Sequence, residues 1–421
     1  MLSKLFEKRS KLSIDKPYQW PDLFGLFGKK SAGIEVNEWK ALQLSTVFAC
    51  VRLISNTIGM LPLTLHQEIN QDKSRIASEK QLNTVLYRMA NKYVTAFMFK
   101  QVLQAHVLLW GNGYAEITRN NKGEAIELWL LCPWNMKVSA VNGERVYTYK
   151  LPDNGGEKVL RGENVFHLPG LSFDGLVGTS VIGVMREEVG LGIALQQFGS
   201  KYFENGTNLG GVVEHPNILG DKARVHLKKD LEDSFSGIDN ALKMIILEEG
   251  MKYQKIGIPA EDAQFIESRK FQIEEVCRYF GVQLHMIQNL DKASFNNIEQ
   301  QGIEFKTYCI GPWATTWEQE IYRSLLSDKE KKQNYYAKFN VNALMRGDYK
   351  TRMEGYRTGI QMGLYSLNEV RKLEDMNPIE DDSGDIHWVN SAMIPIENQL
   401  QGGGGDIVEQ GQVPDEGEGQ V

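Results

Sequence analysis

Residues 45–65 read STVFACVRLISNTIGMLPLTL, and this stretch decides the fold class. Its apolar residues recur at the spacing of one helix face, which predicts a helix that is buried along one side. The members of this stripe are Val47, Val51, Ile54, Ile58 and Leu61. Ser45 is the expected N-cap, and Pro62 is expected to stop the helix. Directly afterwards, Leu63 and Leu65 alternate with polar residues, which predicts a strand.

The helical spacing and the strand alternation of apolar residues both recur as far as residue 168. A second helix is expected from a cap at Thr95 to a glycine turn at residues 111–113. Its buried side would carry Phe99, Leu103, Val107 and Trp110. From residue 114 the period changes to two, which predicts strands at residues 114–118, 125–131, 145–151 and 165–168. We therefore predict an α+β fold, with a small antiparallel β region packed on the two helices.

Beyond residue 177 the pattern is helix, insert, helix. Residues 178–205 keep a helical period, and residues 261–280 are helical again. Between them, residues 211–258 predict a strand, a charged helix and a hairpin that pairs residues 243–247 with 251–256. Because both ends of this insert join helices, it is expected to project from the body as a finger.

Residues 281–297, GVQLHMIQNLDKASFNN, interrupt the periodicity and are polar. A loop of this length inside a compact chain is typical of a functional segment. Ser294 then offers a cap for a long helix. Pro312 lies inside that helix and should kink it near Cys309–Gly311, because proline removes a backbone hydrogen bond. Trp313 and Trp317 share one side at helical spacing, which is typical of a core stripe.

The last predicted elements lie between residues 335 and 375, and the two terminal segments are predicted to lack regular structure. A strand is expected at residues 335–341, and helices are expected at residues 348–362 and 367–375. Residues 391–421 are rich in glycine and acidic residues, a composition that cannot order itself. Residues 1–40 mix basic and aromatic residues and indicate a flexible arm.

Composition limits the function. The 421 residues are 42% hydrophobic and 24% charged, as in globular proteins, and the net charge is -7. A protein that binds duplex DNA tightly would need a basic excess to neutralise phosphates. The cysteines lie far apart without a C-x-x-C pair, which argues against a zinc site and a disulfide scaffold. No signal peptide and no membrane span are expected.

No set of residues indicates catalysis. Residues 25–31, GLFGKKS, have too few residues between their glycines for a phosphate-binding loop. There is no H-E-x-x-H motif, and the histidines do not cluster. An acidic group resembles a cation site but reads as a solvated turn. It comprises Glu380, Asp381, Asp382 and Asp385. We therefore predict no catalytic residue, no metal site and no cofactor.

Four segments, taken in order, resemble the portal (head–tail connector) proteins of long-tailed bacteriophages. They are STVFACVR at 45–52 with LPL at 61–63, GNGYAEI at 111–117, the run from FGV at 280–282 through NIEQQ at 297–301 to GPW at 311–313 and WEQE at 317–320, and NEVR at 368–371. The resemblance covers residues 45–390. At residues 283–285 the chain has Gln-Leu-His where the family often has a proline-containing turn.

The resemblance implies a portal fold with long stem helices. Residues 1–40 would be a flexible N-terminal arm and residues 391–421 a disordered acidic tail. Between them it implies a wing at 41–177, stem helices at 178–210 and 260–281, a small α/β clip at 211–259, a tunnel loop at 282–297, a kinked wing helix and strand at 298–345, and a helical crown at 346–390.

The resemblance also assigns roles to individual residues. The tunnel loop would line a DNA channel with Gln288, Asn289, Asp291, Lys292, Ser294, Asn296 and Asn297. The clip would offer a docking surface that contains Lys228, Lys229, Asp230, Glu232, Glu248 and Glu249. In the wing helix, Trp313 and Trp317 would be core residues and Pro312 the kink.

The implied function is a ring of twelve copies at one vertex of the capsid. Double-stranded DNA would pass through it, without sequence specificity, during genome packaging and ejection. The terminase large subunit and later a head–tail adaptor would dock on the clip, and the major capsid or scaffolding protein would be a further partner; no membrane is implied. The chain would be found in the virion, and in the host cytoplasm during assembly.

Repetition around a ring accounts for the acidic charge, because one inward lysine per copy would already supply several phosphate contacts and arrest the DNA. Two alternatives remain. One is another structural protein of the phage head, a capsid or adaptor protein. The other is a nuclease or head-maturation enzyme, whose acids would have to converge around Glu187 and Glu188 or around Asp381 and Asp382.

Overall fold

The computed structural model describes most of the chain between residues 30 and 388. The described residues are 30–31, 34–70, 73–141, 144–152, 155–204, 211–214, 220, 224–226, 251–255, 262–288, 302–341, 343, 349–374 and 376–388. The chain divides into two compact units, residues 1–345 and residues 346–421. Each unit is described by itself.

The first unit combines helices with short antiparallel strands, as the predicted α+β class requires. Its helices are α1 (Glu38–Ala41), α2 (Ser45–Met60), α3 (Gln81–Tyr87), α4 (Ala96–Trp110), α5 (Val181–Val184), α6 (Arg186–Glu204), α7 (Asp262–Phe280), α8 (Gly311–Ser324) and α9 (Asp328–Lys332). Its strands are β1 (Lys30–Ser31), β2 (Ile34–Glu35), β3 (Leu63–Asn70), β4 (Lys73–Ile76), β5 (Asn112–Arg119), β6 (Ala125–Leu131), β7 (Met136–Val141), β8 (Glu144–Lys150), β9 (Glu157–Arg161), β10 (Val165–Pro169), β11 (Gly211–Glu214), β12 (Lys252–Lys255) and β13 (Tyr335–Phe339).

The described strands form several small antiparallel sheets rather than the one β region that the sequence predicts. The three-stranded sheets have the orders β10-β5-β6, β13-β3-β4 and β7-β8-β9. β1 pairs with β2, and β11 pairs with β12. The pairing of β13 with β3 aligns Phe339 with Leu63 and so joins residues that are distant in the sequence. Hydrophobic alternation identifies individual strands, but it does not identify their partners.

The main core lies between α2, α4 and α8. The predicted stripe of α2 is buried throughout, with Val47, Ile54 and Ile58 at 0% exposure. α2 packs on α4, and α8 packs on β10 and β13. Each such aliphatic side chain contributes about 1.5–3 kcal/mol by leaving water. A smaller core joins sheets β10-β5-β6 and β7-β8-β9. It is formed by Tyr114, Leu131, Tyr147, Tyr149, Leu160 and Val165.

The predicted helix boundaries need three corrections. The segment 178–205 is two helices, because the chain breaks at Met185 between α5 and α6. α5 begins at Val181 because the Ser180 hydroxyl accepts a hydrogen bond from the backbone N–H of Gly183, as an N-cap does. In α2, the N-cap is Leu44 rather than Ser45, since the Leu44 carbonyl accepts from the N–H of Phe48. The short elements α3, β4, β7 and β9 were not predicted.

The second unit contains α10 (Tyr349–Gln361) and α11 (Leu367–Leu373), close to the two predicted helices. Gly363 has φ of 68°, which ends α10. Ser366 and Glu369 form a reciprocal capping box at the start of α11. An ion pair between Arg352 and Glu374, 2.6 Å apart, joins the two helices of this unit.

Candidate functional site

A cluster of close backbone contacts lies where the chain leaves the sheet β10-β5-β6 and enters α5 and α6. We call it the glycine joint: Gly111, Asn112, Gly170 and Gly178. The N–H of Gly170 donates to the carbonyl of Gly111 at 2.8 Å. Asn112 accepts from the N–H of Gly178 at 2.7 Å and donates to its carbonyl at 2.8 Å. A Cβ at Gly178 would lie 2.1 Å from the Gly111 oxygen, so only glycine fits there.

A buried histidine completes the glycine joint. His167 has 0% exposure, and its Nε2 lies 2.9 Å from Oδ1 of Asn112. Its Nδ1 lies 3.1 Å from the hydroxyl of Tyr147. Burial lowers the pKa of His167 to about 3, so the ring is neutral. Nε2 therefore donates to Asn112, and Nδ1 accepts from Tyr147. This network fixes the direction in which the chain runs from the sheet β10-β5-β6 into α5.

The long helices α6 and α7 pack on each other through a small residue. A Cβ at Gly192 of α6 would lie 1.8 Å from Nε2 of Gln272 in α7, so the two helices approach closely at this position. Gln272 is buried. α7 also packs on α2, which connects the helix pair to the main core. The predicted insert connects α6 to α7, and these contacts pack the two helices on each other and on the main core.

The predicted tunnel loop follows α7 directly. Gly281 has φ of 66° and turns the chain, and Val282 is buried and donates its N–H to the carbonyl of Cys277. A 3₁₀ turn follows at Leu284–Ile287 and ends at Gln288, which is exposed and has φ of 67°. Of the predicted channel residues, Gln288 is described. Asn289, Asp291, Lys292, Ser294, Asn296 and Asn297 lie outside the described residues, as does the predicted cap at Ser294.

The two sides of the predicted tunnel loop are connected by a side-chain hydrogen bond. Gln283, before the loop, donates through Nε2 to Oε2 of Glu304, after the loop, at 3.2 Å. Both side chains are partly buried. Residues 289–301 therefore begin and end at neighbouring points of the structure.

The helix after the loop has an irregular turn where Pro312 was expected to kink it. Phe305–Ile310 is π-helical, and the N–H of Gly311 donates to the carbonyl of Lys306, five residues back. Pro312 lacks an N–H, so it occupies the first turn of α8, where a donor is not required. The irregularity is thus a wider turn before the proline.

The two predicted core tryptophans differ in burial. Trp317 is 1% exposed, and its indole N–H donates to Oε1 of Gln104 at 2.9 Å. Its ring contacts Phe99, Phe166 and Phe339. Trp313 is half-buried and packs against the edge of the main core. Trp317 thus holds α8 against α4 and the sheets.

The predicted clip is described only in part. β11 pairs with β12 in an antiparallel register that aligns Val213 with Tyr253. The charged docking residues Lys228, Lys229, Asp230, Glu232, Glu248 and Glu249 lie outside the described residues. The same applies to residues 243–247 of the predicted hairpin and to most of the predicted charged helix.

The residues considered for enzymatic alternatives have local structural contacts. Glu187 and Glu188 lie in the first turn of α6, where acidic residues favour the helix dipole. The carboxylate of Asp381 accepts hydrogen bonds from Ser383, which lower its pKa. Asp385 accepts from Asn368. Within the described ranges, His, Cys, Asp and Glu side chains do not gather in threes as a metal ion would require.

Two features were missed by sequence reasoning. The glycine joint brings together glycines that are about sixty residues apart, and no periodicity signals such a meeting. Lys100 of α4 is buried, and its Nζ donates to the carbonyl of Leu61 at 2.5 Å. Its position next to Phe99 of the predicted stripe was the available signal. In the described part of the chain, we find no helix with the length and apolar character needed to cross a membrane.

Comparison with known proteins agrees with this architecture. The chain is 32% identical to the probable portal protein of Streptomyces phage phiC31, over 89% of this chain and 83% of that protein. It is 30% identical to the portal protein of Enterobacteria phage HK97, over 86% of this chain and 85% of that protein.

Solved structures share the fold. A crystal structure of an HK97-family phage portal protein from Corynebacterium diphtheriae matches with a TM-score of 0.55 at 16% identity, covering 72% of this chain and 95% of that one. A chain from the neck of a native gene transfer agent particle, computed with C12 symmetry, matches with a TM-score of 0.53 at 19% identity, covering 87% and 96%.

These relatives, together with a family match, confirm the predicted identity. The family model for phage portal proteins matches residues 45–375. The predictions of a structural rather than catalytic protein, and of a portal component of the virion, are confirmed with it. The chain belongs to the phage portal protein family.

Proposed function

We propose that twelve copies of this chain form a closed ring whose channel carries double-stranded DNA into and out of the capsid. The C12 symmetry of the gene transfer agent neck, which contains a chain of the same fold, supports the number. The net charge of -7 supports a channel that guides the duplex without gripping it. A ring of identical copies requires two different surfaces on each copy, one for each neighbour.

The regions of the chain are proposed to serve this ring as follows. Residues 41–177 are the wing, α5 to α6 and α7 are the stem, residues 211–259 are the clip, and residues 298–345 complete the wing. Residues 346–390 are the crown, and residues 1–40 and 391–421 are the arm and the acidic tail. The close packing of α6 on α7 supports a stem, because a rigid helix pair can carry the insert away from the body.

One observation carries the proposal for the tunnel loop. The hydrogen bond between Gln283 and Glu304 closes the base of residues 289–301. This contact supports the proposal, because a loop that lines a channel would leave the body and return to it at nearby points. Polar side chains at its tip would let phosphates slide past, because they offer no fixed positive charge. Lys292 would pair with the neighbouring Asp291 or contact phosphates transiently.

The clip is proposed to be the docking surface for the packaging motor. The sequence contains no phosphate-binding loop, so the energy for translocation has to come from a separate ATPase, the terminase large subunit. After packaging, a head–tail adaptor would occupy the same charged surface, which contains Lys228, Lys229, Asp230, Glu232, Glu248 and Glu249. The major capsid or scaffolding protein would contact the ring from outside.

Electron microscopy of the purified chain tests the ring. Negative-stain images should show closed rings with a central hole, and class averages should show twelve-fold symmetry. Monomers that persist at high protein concentration would contradict the proposal. Rings with another number of copies would contradict only the number.

Deletion of residues 290–295 tests the tunnel loop. The deletion should leave ring assembly intact, because it removes no described core residue, and it should impair DNA packaging or genome retention. Deletion of the glycine run 402–405 in the proposed tail is the control and should leave both functions unchanged. Loss of the ring on deletion of 290–295 would mean that this segment holds copies together.

A further inference from the structure

Three of the four cysteines are buried in the main core, and two of them are in contact. Cys50 lies in α2, Cys277 in α7, and Cys309 in the π-helical turn, with exposures of 0%, 2% and 6%. The Sγ atoms of Cys50 and Cys277 are 3.9 Å apart, although the two residues are separated by 227 positions in the sequence. The thiol of Cys309 donates to the carbonyl of Phe280 at 3.6 Å. Cys132, the fourth, lies on the smaller core.

The chemistry of this arrangement distinguishes one pair from the third thiol. Two sulfur atoms at 3.9 Å are in van der Waals contact, and a disulfide needs them to approach to about 2 Å. The approach requires the side-chain torsions of both residues to change. The Cys309 thiol is already engaged with a backbone carbonyl, and burial raises its pKa to about 12, so it stays protonated.

The two partners are not equivalent. The two thiols share a hydrogen bond in which either sulfur can be the donor, and this bond lowers the pKa of Cys277 and raises that of Cys50. The lowered pKa favours the thiolate of Cys277, which is the reactive form, and an exchange of the two roles would give the same disulfide. Cys50 remains protonated, and its sulfur, in contact with that of Cys277, would be the resolving thiol. The arrangement has the two parts that disulfide formation requires, an attacking sulfur and a second sulfur in contact with it.

A virion component passes through two redox environments. It folds in the reducing cytoplasm, where thiols persist, and leaves the cell with the particle into an oxidising medium. We propose that Cys50 and Cys277 form a disulfide in the assembled virion, which cross-links α2 to α7. The inference goes beyond the proposed ring and channel, since it concerns contacts inside one copy.

The reaction balances with a peroxide as the oxidant. The Cys277 thiolate attacks one oxygen of hydrogen peroxide, so that the S–O bond forms, the O–O bond breaks and hydroxide leaves. The sulfur of Cys50 then attacks the resulting sulfenic acid, the S–S bond forms, the S–O bond breaks, and the Cys50 proton leaves with the oxygen as water. In sum, two thiols and one peroxide give a disulfide and two waters. Hydrogen peroxide is nearly as small as water, which suits a buried pair.

The bond would join the core helix α2 to the helix that leads directly into the predicted tunnel loop. A cross-link between residues so far apart restricts the unfolded chain strongly and therefore favours the folded state. It would keep the end of α7 on the main core while DNA presses on the channel.

Thiol counting on the full-length chain tests the proposal. The chain is purified with reductant, freed of it, treated with hydrogen peroxide, and then denatured with an alkylating reagent. Two of the four thiols should disappear, and mass spectrometry of a digest should show Cys50 joined to Cys277. The midpoint of thermal unfolding should rise after oxidation and return with dithiothreitol. The same digest of purified virions, denatured directly in the alkylating reagent, should contain the joined peptides.

Matched variants make the test specific. Cys50→Ala and Cys277→Ala should each abolish the joined peptide and the rise of the midpoint, whereas Cys309→Ala, the control in the same core, should retain both. Four free thiols after peroxide treatment of the folded chain would overturn the proposal. A joined peptide that contains Cys309, or virions with Cys50 and Cys277 both alkylated, would overturn it as well.

Discussion

At the scale of single residues, Gly178 is the most constrained position of the glycine joint. A methyl group there would lie 2.1 Å from the Gly111 oxygen and 2.4 Å from the Gly170 nitrogen, and both are backbone atoms. We expect Gly178→Ala to lower the free energy of unfolding by about 3 kcal/mol, the upper end for overpacking, because the backbone has to move.

Denaturant unfolding of the purified chain measures this effect. Gly302→Ala is the control, because a methyl group at Gly302 meets no atom within 4 Å. That variant should stay within about 0.5 kcal/mol of the natural chain. Equal stability of the two variants would show that the joint is more adaptable than its contacts indicate.

Lys100 gives the chain a pH dependence at alkaline pH. Burial lowers the pKa of Lys100 from 10.5 to about 8 in the folded chain. Between these two values the unfolded state binds more protons, so the free energy of unfolding should rise with pH, by up to about 3 kcal/mol. Below pH 8 both states are protonated, and the cost of burying the charge is fully present.

The variant Lys100→Met isolates this contribution. It keeps an unbranched side chain and removes the titrating group, so the difference in unfolding free energy between the two chains should change between pH 8 and pH 10.5. Other groups, such as Tyr114, whose pKa is raised by burial, titrate in both chains and cancel in the difference. Parallel pH profiles of the two chains would contradict the assignment.

At the scale of elements, the hydrogen bond between Gln283 and Glu304 should control how often residues 289–301 separate from the body at their base. Glu304→Ala removes the acceptor, and Glu304→Gln keeps one, which makes it the matched control. A bond of this kind contributes about 1 kcal/mol, so proteolytic cleavage within 289–301 should accelerate about fivefold in Glu304→Ala. The midpoint of thermal unfolding should not change. Equal cleavage of both variants would mean that other contacts hold the base.

Sequence periodicity predicted the secondary-structure elements better than the tertiary contacts between them. The stripe of α2 and the cap at Thr95 were read directly, because both depend on neighbours within a few residues. The pairing of β3 with β13, the glycine joint and the contact of Cys50 with Cys277 join distant residues, and no local pattern encodes them. The π-helical turn at Phe305–Ile310 overlaps the predicted kink near Cys309–Gly311, but its π-helical form was not predicted, since the helix widens over the turn before the proline.

At the scale of the whole molecule, family membership was predictable because the order of several weak motifs is more specific than any one of them. The family match begins at residue 45, where α2 begins, and ends at residue 375, after α11. The predicted site could not be read in the same way. The proposed channel and docking residues would act only in a ring, and a property that arises from repeating a surface around an axis has no signature in one chain.

That repetition makes a sharp prediction about charge. Asn289→Lys adds one positive charge to the proposed tunnel loop of each copy, and a ring multiplies it by the number of copies. The natural ring should bind duplex DNA weakly. The variant ring should bind it more tightly, with an affinity that falls steeply with salt, since each phosphate contact adds about 0.9 to the logarithmic slope. Packaging should slow, because DNA that is held cannot slide.

Gln333→Lys adds the same charge at an exposed position of the proposed wing and is the control. If it strengthened DNA binding as much as Asn289→Lys, net charge would govern the interaction, and residue 289 would have no special place in the channel.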